Sequence, residues 1–199
     1  MPRLNDTNRS VLRLEDDDMM PDKPTLLINK ATELFAQGGY NAVGIDRIIA
    51  EAGVAKMTLY KYFPSKNDLI LGVLKERDQA FRASLMAYVD QQTTLTNKIR
   101  AVFIWHDEWF KRDDFFGCMF INVAAEFHDH TTAIHQLAAQ HKQDIITYLE
   151  TLLVETYPAS AHKLALHISL LLDGAIVAAQ VIGNPTAATD AWEAAKCLL

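Results

Sequence analysis

The chain has only two cysteines among its 199 residues, Cys118 and Cys197, which excludes a disulfide framework and a cysteine-rich zinc site. It also lacks a GxSxG turn, a glycine-rich phosphate-binding loop and an HExxH motif, so the sequence gives little support to an enzyme. No uninterrupted apolar run reaches the ~20 residues of a membrane span, and no secretory signal follows the N-terminal basic residues. We therefore expect a cytoplasmic, non-enzymatic protein without a membrane partner.

No segment has the alternating pattern of a β-strand, whereas apolar residues recur at helical spacing through most of the chain. The sequence therefore predicts an all-α fold of about nine helices. The hydrophobic fraction of 50% is sufficient for a substantial core. The predicted helices are 25–38, 45–51, 55–62, 68–90, 96–111, 119–127, 133–157, 161–182 and 186–199.

Charge is distributed unevenly around a net charge of −6. Residues 1–23 contain four Lys/Arg and six Asp/Glu, residues 24–75 contain six and four, and residues 76–199 contain nine and fifteen. Only the second segment is positive. A small basic patch on an acidic protein favours specific over indiscriminate nucleic-acid binding, because the acidic remainder repels DNA phosphates.

The positive segment contains a helix-turn-helix pattern between Gly44 and Leu69. Ile45, Ile48 and Ile49 form one face of a short helix, and Gly53 supplies the turn before a second helix. The outer face of that second helix is basic and aromatic, which core packing explains poorly. A DNA groove explains it well, although a purely structural helical hairpin is the alternative.

The predicted DNA contacts follow from this arrangement. Side chains at the start of the second helix approach base edges, whereas later lysines and tyrosines reach phosphates. Ser65 is the predicted N-cap of the next helix, with Asp68 at its third position, and Lys66 lies where phosphate binds readily. The predicted DNA-binding residues are Arg47, Lys56, Met57, Thr58, Tyr60, Lys61, Tyr62 and Lys66.

The run IIAEAGVAKMTLYKYFPSKNDL resembles the DNA-binding signature of the TetR family of transcriptional regulators. The helix before it fits the first helix of that family. The composition of residues 1–23 predicts a flexible leader, and the resemblance implies a helix-turn-helix DNA-binding domain (24–70) and an effector-binding and dimerisation domain (71–199). Gly44 departs from the pattern, because many members have a threonine there that caps the helix and contacts phosphate. Arg3, Arg9 and Arg13 either reach a minor groove or belong to a solvated tail.

The last two helices have the composition of a subunit interface. Helix 161–182 is apolar on most faces and contains small residues such as Gly174 and Ala178, which allow another helix to approach closely. Together with helix 186–199 it is expected to form a four-helix bundle with a second copy, as the resemblance also implies. The alternative is an ordinary central core helix.

The C-terminal part contains all seven histidines, several of them near aromatic residues. An aromatic pocket with a few polar groups suits a small organic effector. The predicted ligand-binding residues are His106, Trp109, Phe110, Met119, Asn122, Val123, Glu126, His141 and His167. A metal site drawn from His106, Glu126, His130, His141 and His167 is the alternative, as is a redox switch at Cys118. No metal ligand set and no cofactor are predicted.

Taken together, these features predict a homodimeric, ligand-responsive repressor. Two recognition helices would bind a pseudo-palindromic operator in double-stranded DNA. A small molecule bound in the C-terminal domain would shift the long helix that starts near Asp68, and this shift would release the operator. The alternative is a metal- or redox-sensing regulator that uses C-terminal His/Glu residues or Cys118.

Overall fold

The computed structural model describes residues 22–199, and this part of the chain forms nine α-helices without any β-strand. The all-α prediction is therefore confirmed. Most of the predicted leader, including Arg3, Arg9 and Arg13, lies outside the described residues. The helices are α1 (Lys23–Gly38), α2 (Ile45–Ala52), α3 (Lys56–Tyr62), α4 (Lys66–Val89), α5 (Leu95–Phe110), α6 (Met119–Glu126), α7 (Ala133–Leu153), α8 (Ala161–Val177) and α9 (Ala187–Lys196), with a π-helical segment, Ala178–Ile182, after α8.

Polar caps fix several helix starts. Asp22 accepts a hydrogen bond from the Thr25 N–H at 3.0 Å, and Ser65 accepts one from the Asp68 N–H at 3.2 Å. The Ser65 cap is the predicted one and places the start of α4 at Lys66, so the predicted helix bounds of 68–90 begin two residues too late. Helix α7 ends at Leu153, earlier than the predicted end at residue 157, because the chain turns before Pro158.

The first three helices pack around one small core. Leu27 and Phe35 of α1 contact this core together with Ile48 of α2 and Leu59 of α3, and all four side chains are buried. Leu69, at the start of α4, is also fully buried. Helix α4 therefore shares a core with the helix-turn-helix. It then continues among helices α5 to α9, which we call the second half of the molecule, and packs there against α5 and α7.

Glu126, the last residue of α6, connects the two halves of the molecule. Its carboxylate accepts hydrogen bonds from the N–H of Tyr40 at 2.8 Å and from the N–H of Asn41 at 2.6 Å, in the loop between α1 and α2. The Tyr40 hydroxyl donates to the carbonyl of Met119, the first residue of α6, at 3.2 Å. Gly39 has a φ of 78°, and a Cβ there would lie 2.9 Å from the Glu126 carboxylate. We call these contacts the Glu126 link.

The segment Ala161–Ile182 is long and apolar enough to cross a membrane, with a mean hydropathy of 1.8 over its most apolar window. This corrects the expectation that no apolar run approaches the length of a membrane span, because the segment has too few polar side chains to lower its mean hydropathy much. A single segment of this kind is weak evidence for a membrane span, since core helices pass the same test. Only 33% of that window is buried within the chain.

Two histidines are buried in the core of the second half. His106 is 3% exposed and its Nδ1 lies 2.8 Å from the carbonyl of Val102, while His141 is 2% exposed. Burial lowers the pKa of His106 to about 4, and burial likewise lowers the pKa of His141 to about 4 despite its hydrogen bond to Asp78. Both rings are therefore neutral at neutral pH.

The buried His106 predicts a specific loss of stability in acid. In the unfolded chain this histidine takes up its proton near pH 6.5, whereas in the folded protein it does so only near pH 4. The contribution of this histidine to the free energy of unfolding should therefore be constant above pH 6.5 and fall as the pH drops from 6.5 to 4, by roughly 3 kcal/mol. Because the pKa of His141 is lowered in the same way, His106→Phe should reduce but not abolish the pH dependence of urea denaturation in this window. The exposed control His128→Phe should not, and an equal pH dependence in both variants would contradict the assignment.

Candidate nucleic-acid interface and ligand cavity

The turn between α2 and α3 has the geometry that the sequence predicts. Gly53 is left-handed, with φ 66° and ψ 31°, a conformation that glycine adopts without steric cost. The Val54 N–H donates to the carbonyl of Ile49 at 3.1 Å, which closes the end of α2. Ile48 and Leu59 are fully buried beneath the two helices. The buried sides fix the orientation of α3 and leave its opposite side in solvent.

The outward side of α3 exposes large side chains. Met57 is 82% exposed, Tyr60 40% and Tyr62 41%. Lys56 and Lys61 are also exposed, whereas Thr58 is half-buried. An exposed methionine and two exposed tyrosines beside two lysines combine apolar, hydroxyl and cationic groups on one short helix. These are the groups that proteins use on base edges and phosphates.

Several predicted DNA-binding cations have partners within the protein. Lys56 Nζ lies 2.9 Å from the Asp46 carboxylate and Arg47 Nε lies 2.9 Å from that of Glu51. Lys66 Nζ donates to the carbonyl of Asn41 at 3.1 Å, and burial lowers the pKa of Lys66. DNA phosphates would therefore have to replace these contacts. Sequence reasoning identified the cations but not their competing partners.

The start of α2 has no side chain that caps it. Gly44 is the N-cap residue, its backbone is extended, and no side-chain hydrogen bond forms there. A Cβ at Gly44 would meet no atom within 4 Å, so space does not explain the glycine. The first N–H groups of α2 remain available to an external acceptor such as a phosphate.

Two of the predicted ligand-binding residues, His106 and His141, line one internal cavity of about 20 Å³ between α4, α5, α7 and α8. We call it the histidine cavity. His141 stacks on Phe120 at 3.6 Å, and its Nδ1 lies 2.7 Å from Asp78 of α4. A volume of this size holds about one water molecule. An organic ligand would enter only if the surrounding helices moved apart.

The other predicted ligand-binding residues lie in different parts of the structure. Trp109 packs beside Phe81 and His106, and Phe110 packs against Trp109. Val123 is fully buried in the core, and Met119 lines a separate cavity near α1. Asn122 and Glu126 line an open groove, with Glu126 engaged in the Glu126 link. His167 is half-buried on α8 and lines none of these described cavities.

Sequence reasoning missed several residues of the histidine cavity. Lys142 of α7 pairs with Asp173 of α8 at 2.5 Å, and both lie at the cavity wall. A signal for this pair exists in the sequence, because Asp173 is the one acidic residue in the apolar helix 161–182. A charge in such a helix usually has a partner. The remaining missed wall residues are Phe81, Cys118, Ile145, Ser169, Leu172 and Ile176.

The candidate metal ligands do not form a common site in the described part of the chain. Within residues 22–199, no three His, Cys, Asp or Glu side chains are arranged to hold a metal ion. Glu126 binds backbone N–H groups, while the ring of His130 packs against that of His135 at 4.1 Å. Cys118 is buried in the wall of the histidine cavity, and Cys197 is exposed.

Comparison with known sequences agrees with this geometry. The family model described as "Bacterial regulatory proteins, tetR family" matches residues 27–73, which include α1, α2, α3 and the start of α4. The transcriptional regulator YuxN of Bacillus subtilis is 25% identical over 156 residues, which cover 78% of this chain and 53% of YuxN. The chain thus spans about half the length of this curated relative.

Solved structures extend the similarity to almost the whole molecule. A TetR-family transcriptional regulator from Streptomyces coelicolor superposes with a TM-score of 0.82 and 30% identity, over 88% of this chain and 93% of that protein. A TetR-type regulator from Streptomyces avermitilis gives a TM-score of 0.76 and 27% identity, over 88% and 99%. Both belong to a class of DNA-binding regulators and not of enzymes. This chain therefore belongs to the TetR family of DNA-binding transcriptional regulators.

Proposed function

We propose that this chain is a homodimeric repressor that leaves its operator when a small molecule binds among its C-terminal helices. The observation that carries this proposal is the exposed basic and aromatic side of α3, held above a fully buried helix-turn-helix core. Residues 24–70 would bind DNA and residues 71–199 would bind the effector and the second subunit. The boundary between them falls inside α4, which makes this helix the mechanical connection.

The DNA contacts divide by position on α3. Lys56, Met57 and Thr58, in its first turn, would address base edges in the major groove. Tyr60, Lys61 and Tyr62 lie further along the helix and would bind phosphates together with Lys66 and Arg47. The amides at the start of α2, next to Gly44, would add a phosphate contact without a side chain. Phosphate contacts set the register, and base contacts set the sequence preference.

The second subunit would cover an apolar stripe on α8 and the π-helical segment. Leu166, Leu170, Val177 and Val181 recur at intervals of four and seven residues, and Leu170 and Val181 are 69% and 74% exposed. Gly174 lies on the same side with open space around it, so a second helix can approach closely. Helix α9 presents mostly polar residues outward and covers α5 and α8 with its buried side. The stripe therefore supports α8 as the main interface helix.

Effector binding would act through α4. The histidine cavity is bounded by Phe81 of α4, and Asp78 of the same helix is hydrogen-bonded to His141 beside it. A ligand larger than one water molecule must separate α4 from α7, and α4 begins next to the recognition helix. In a dimer, this movement would change the distance between the two recognition helices. The ligand would then favour the state that does not fit both half-sites.

The proposal is tested by selection from randomised duplex DNA at physiological salt, followed by sequencing. A pseudo-palindrome with two equivalent half-sites is the expected product. Because a co-purified ligand would hold the protein in its released state, the selection is repeated after unfolding, dialysis and refolding. Absence of enrichment in both experiments, with a folded dimer, would refute the DNA-binding roles assigned to α3.

Substitutions at the two ends of the DNA-binding surface should have different effects. Lys66→Ala should weaken binding to all sequences alike and reduce the salt slope by about 1, because it removes one phosphate contact. Lys56→Ala should cost about 1–3 kcal/mol on the selected operator and relax its sequence preference. Asp46→Asn should strengthen binding, because it removes the carboxylate that competes for Lys56. Titration of labelled operator at several salt concentrations measures all three, with Lys163→Ala on α8 as control.

The apolar stripe predicts that Val181→Asp produces a folded monomer. Val181 is 74% exposed in the isolated chain, so the aspartate costs nothing within one subunit, whereas a dimer would bury the charge without a partner. Analytical ultracentrifugation measures the change in mass, and circular dichroism confirms the fold. A fully dimeric Val181→Asp variant would place the interface elsewhere. Leu198→Asp, 39% exposed at the C-terminus, serves as the control.

The Glu126 link predicts a local effect on the loop between α1 and α2. Glu126→Gln leaves the side chain nearly the same size but removes the charge that accepts from two adjacent N–H groups. Hydrogen exchange at Tyr40 and Asn41 should accelerate, and the free energy of unfolding in urea should fall by about 1–3 kcal/mol. The exposed control Glu155→Gln should change neither. Unchanged exchange at Tyr40 and Asn41 would show that the link does not hold the loop.

A further inference from the structure

A second cavity lies between the two halves of the molecule, away from the histidine cavity. It has a volume of about 100 Å³ and is enclosed by α1, α4, the loop before α6 and the first residue of α6. Its walls are mostly small or apolar near α6 and polar near α1. We call it the Arg77 cavity, and it is lined by Thr32, Glu33, Ala36, Gln37, Arg77, Asp114, Phe116, Gly117 and Met119.

Arg77 of α4 is the unusual residue of this cavity. Its guanidinium lies over the Trp109 ring at 5.8 Å, and its side chain makes no hydrogen bond or ion pair with any residue in the 22–199 range. Burial lowers the pKa of Arg77, yet an arginine remains charged in proteins. A half-buried cation of this kind normally has an anionic partner, because its five N–H donors lose water on burial.

The two carboxylates in the cavity wall already have other partners. Asp114 accepts from Arg112 through both oxygens, at 2.8 Å each. Glu33 of α1 pairs with Lys30 at 2.5 Å. Asp114 also attracts the Arg77 charge, but both of its oxygens accept from Arg112, so neither carboxylate forms a hydrogen bond with the Arg77 guanidinium. An anion that entered the cavity would complete the charge balance.

The shape of the cavity indicates which anion it would accept. The planar guanidinium binds a carboxylate through two parallel hydrogen bonds. Ala36, Phe116 and Met119 form an apolar wall near the charge, which suits a short aliphatic or aromatic group. We propose that the Arg77 cavity is a binding site for a small organic carboxylate. Such a ligand would contact α1 and α4 at once and stabilise their relative position.

The test is isothermal titration of the full-length protein with benzoate, with benzamide as the uncharged molecule of nearly the same shape. The wild type should bind benzoate saturably and benzamide at least tenfold more weakly, because only the carboxylate accepts both N–H groups. Arg77→Met should lose at least tenfold in benzoate affinity. Arg100→Met, an exposed arginine on α5, is the matched control and should bind like the wild type.

A second variant covers the case in which Arg77→Met does not fold. Ala36→Leu keeps the arginine but fills the cavity from the α1 side, so it should also lose benzoate binding. Acetate and butanoate are titrated in the same way as smaller carboxylates. Equal binding of benzoate and benzamide, or full benzoate affinity in either cavity variant, would overturn the proposal. Failure of all three carboxylates to bind at millimolar concentration would overturn it as well. None of these measurements involves DNA, so they are independent of the regulatory role proposed above.

Discussion

The Glu126 carboxylate is the contact on which the relation between the two halves of this molecule depends. It accepts from two consecutive backbone N–H groups in the loop that leads into the helix-turn-helix. Charged acceptors make such hydrogen bonds stronger than neutral ones. The Tyr40 hydroxyl adds a contact to the other end of α6, so a single short helix is fixed to this loop at both ends. Gly39 has no side chain because the carboxylate occupies that space.

The sequence alone predicts those structural features that depend on residues close together in the chain. The Ser65–Asp68 cap, the Gly53 turn and the buried positions Ile48 and Leu59 all involve residues that are close together in the chain, and all are present in the structure. The partner of Glu126 lies 85 residues away, so its role is invisible to any local pattern. The sequence identified Glu126 as a polar group facing a ligand, whereas its oxygens face the α1–α2 loop.

The histidine cavity is predictable only in part for the same reason. His106 belongs to a helix whose composition indicates an aromatic core, and it lines the same cavity as His141. Their closeness to Lys142 and Asp173 depends on how α7 packs on α8, which no spacing reveals. The π-helical turn after α8 is a further example. It places Gln180 so that its amide donates to the carbonyl of Phe116 at 3.0 Å, and Gly117 leaves room for that side chain.

Helix α4 connects both cavities through adjacent residues. Arg77 lines one cavity, while Asp78 accepts from Arg82 and bonds His141 beside the other. Consecutive helical residues point about 100° apart, so α4 presents different sides to the two cavities, and a rigid-body movement of α4 would act on both. A ligand at Arg77 that held α4 against α1 and limited its movement as a rigid helix would oppose the separation of α4 from α7. On this reasoning, two ligands bound in the two cavities would weaken each other's binding, and the coupling would be reciprocal.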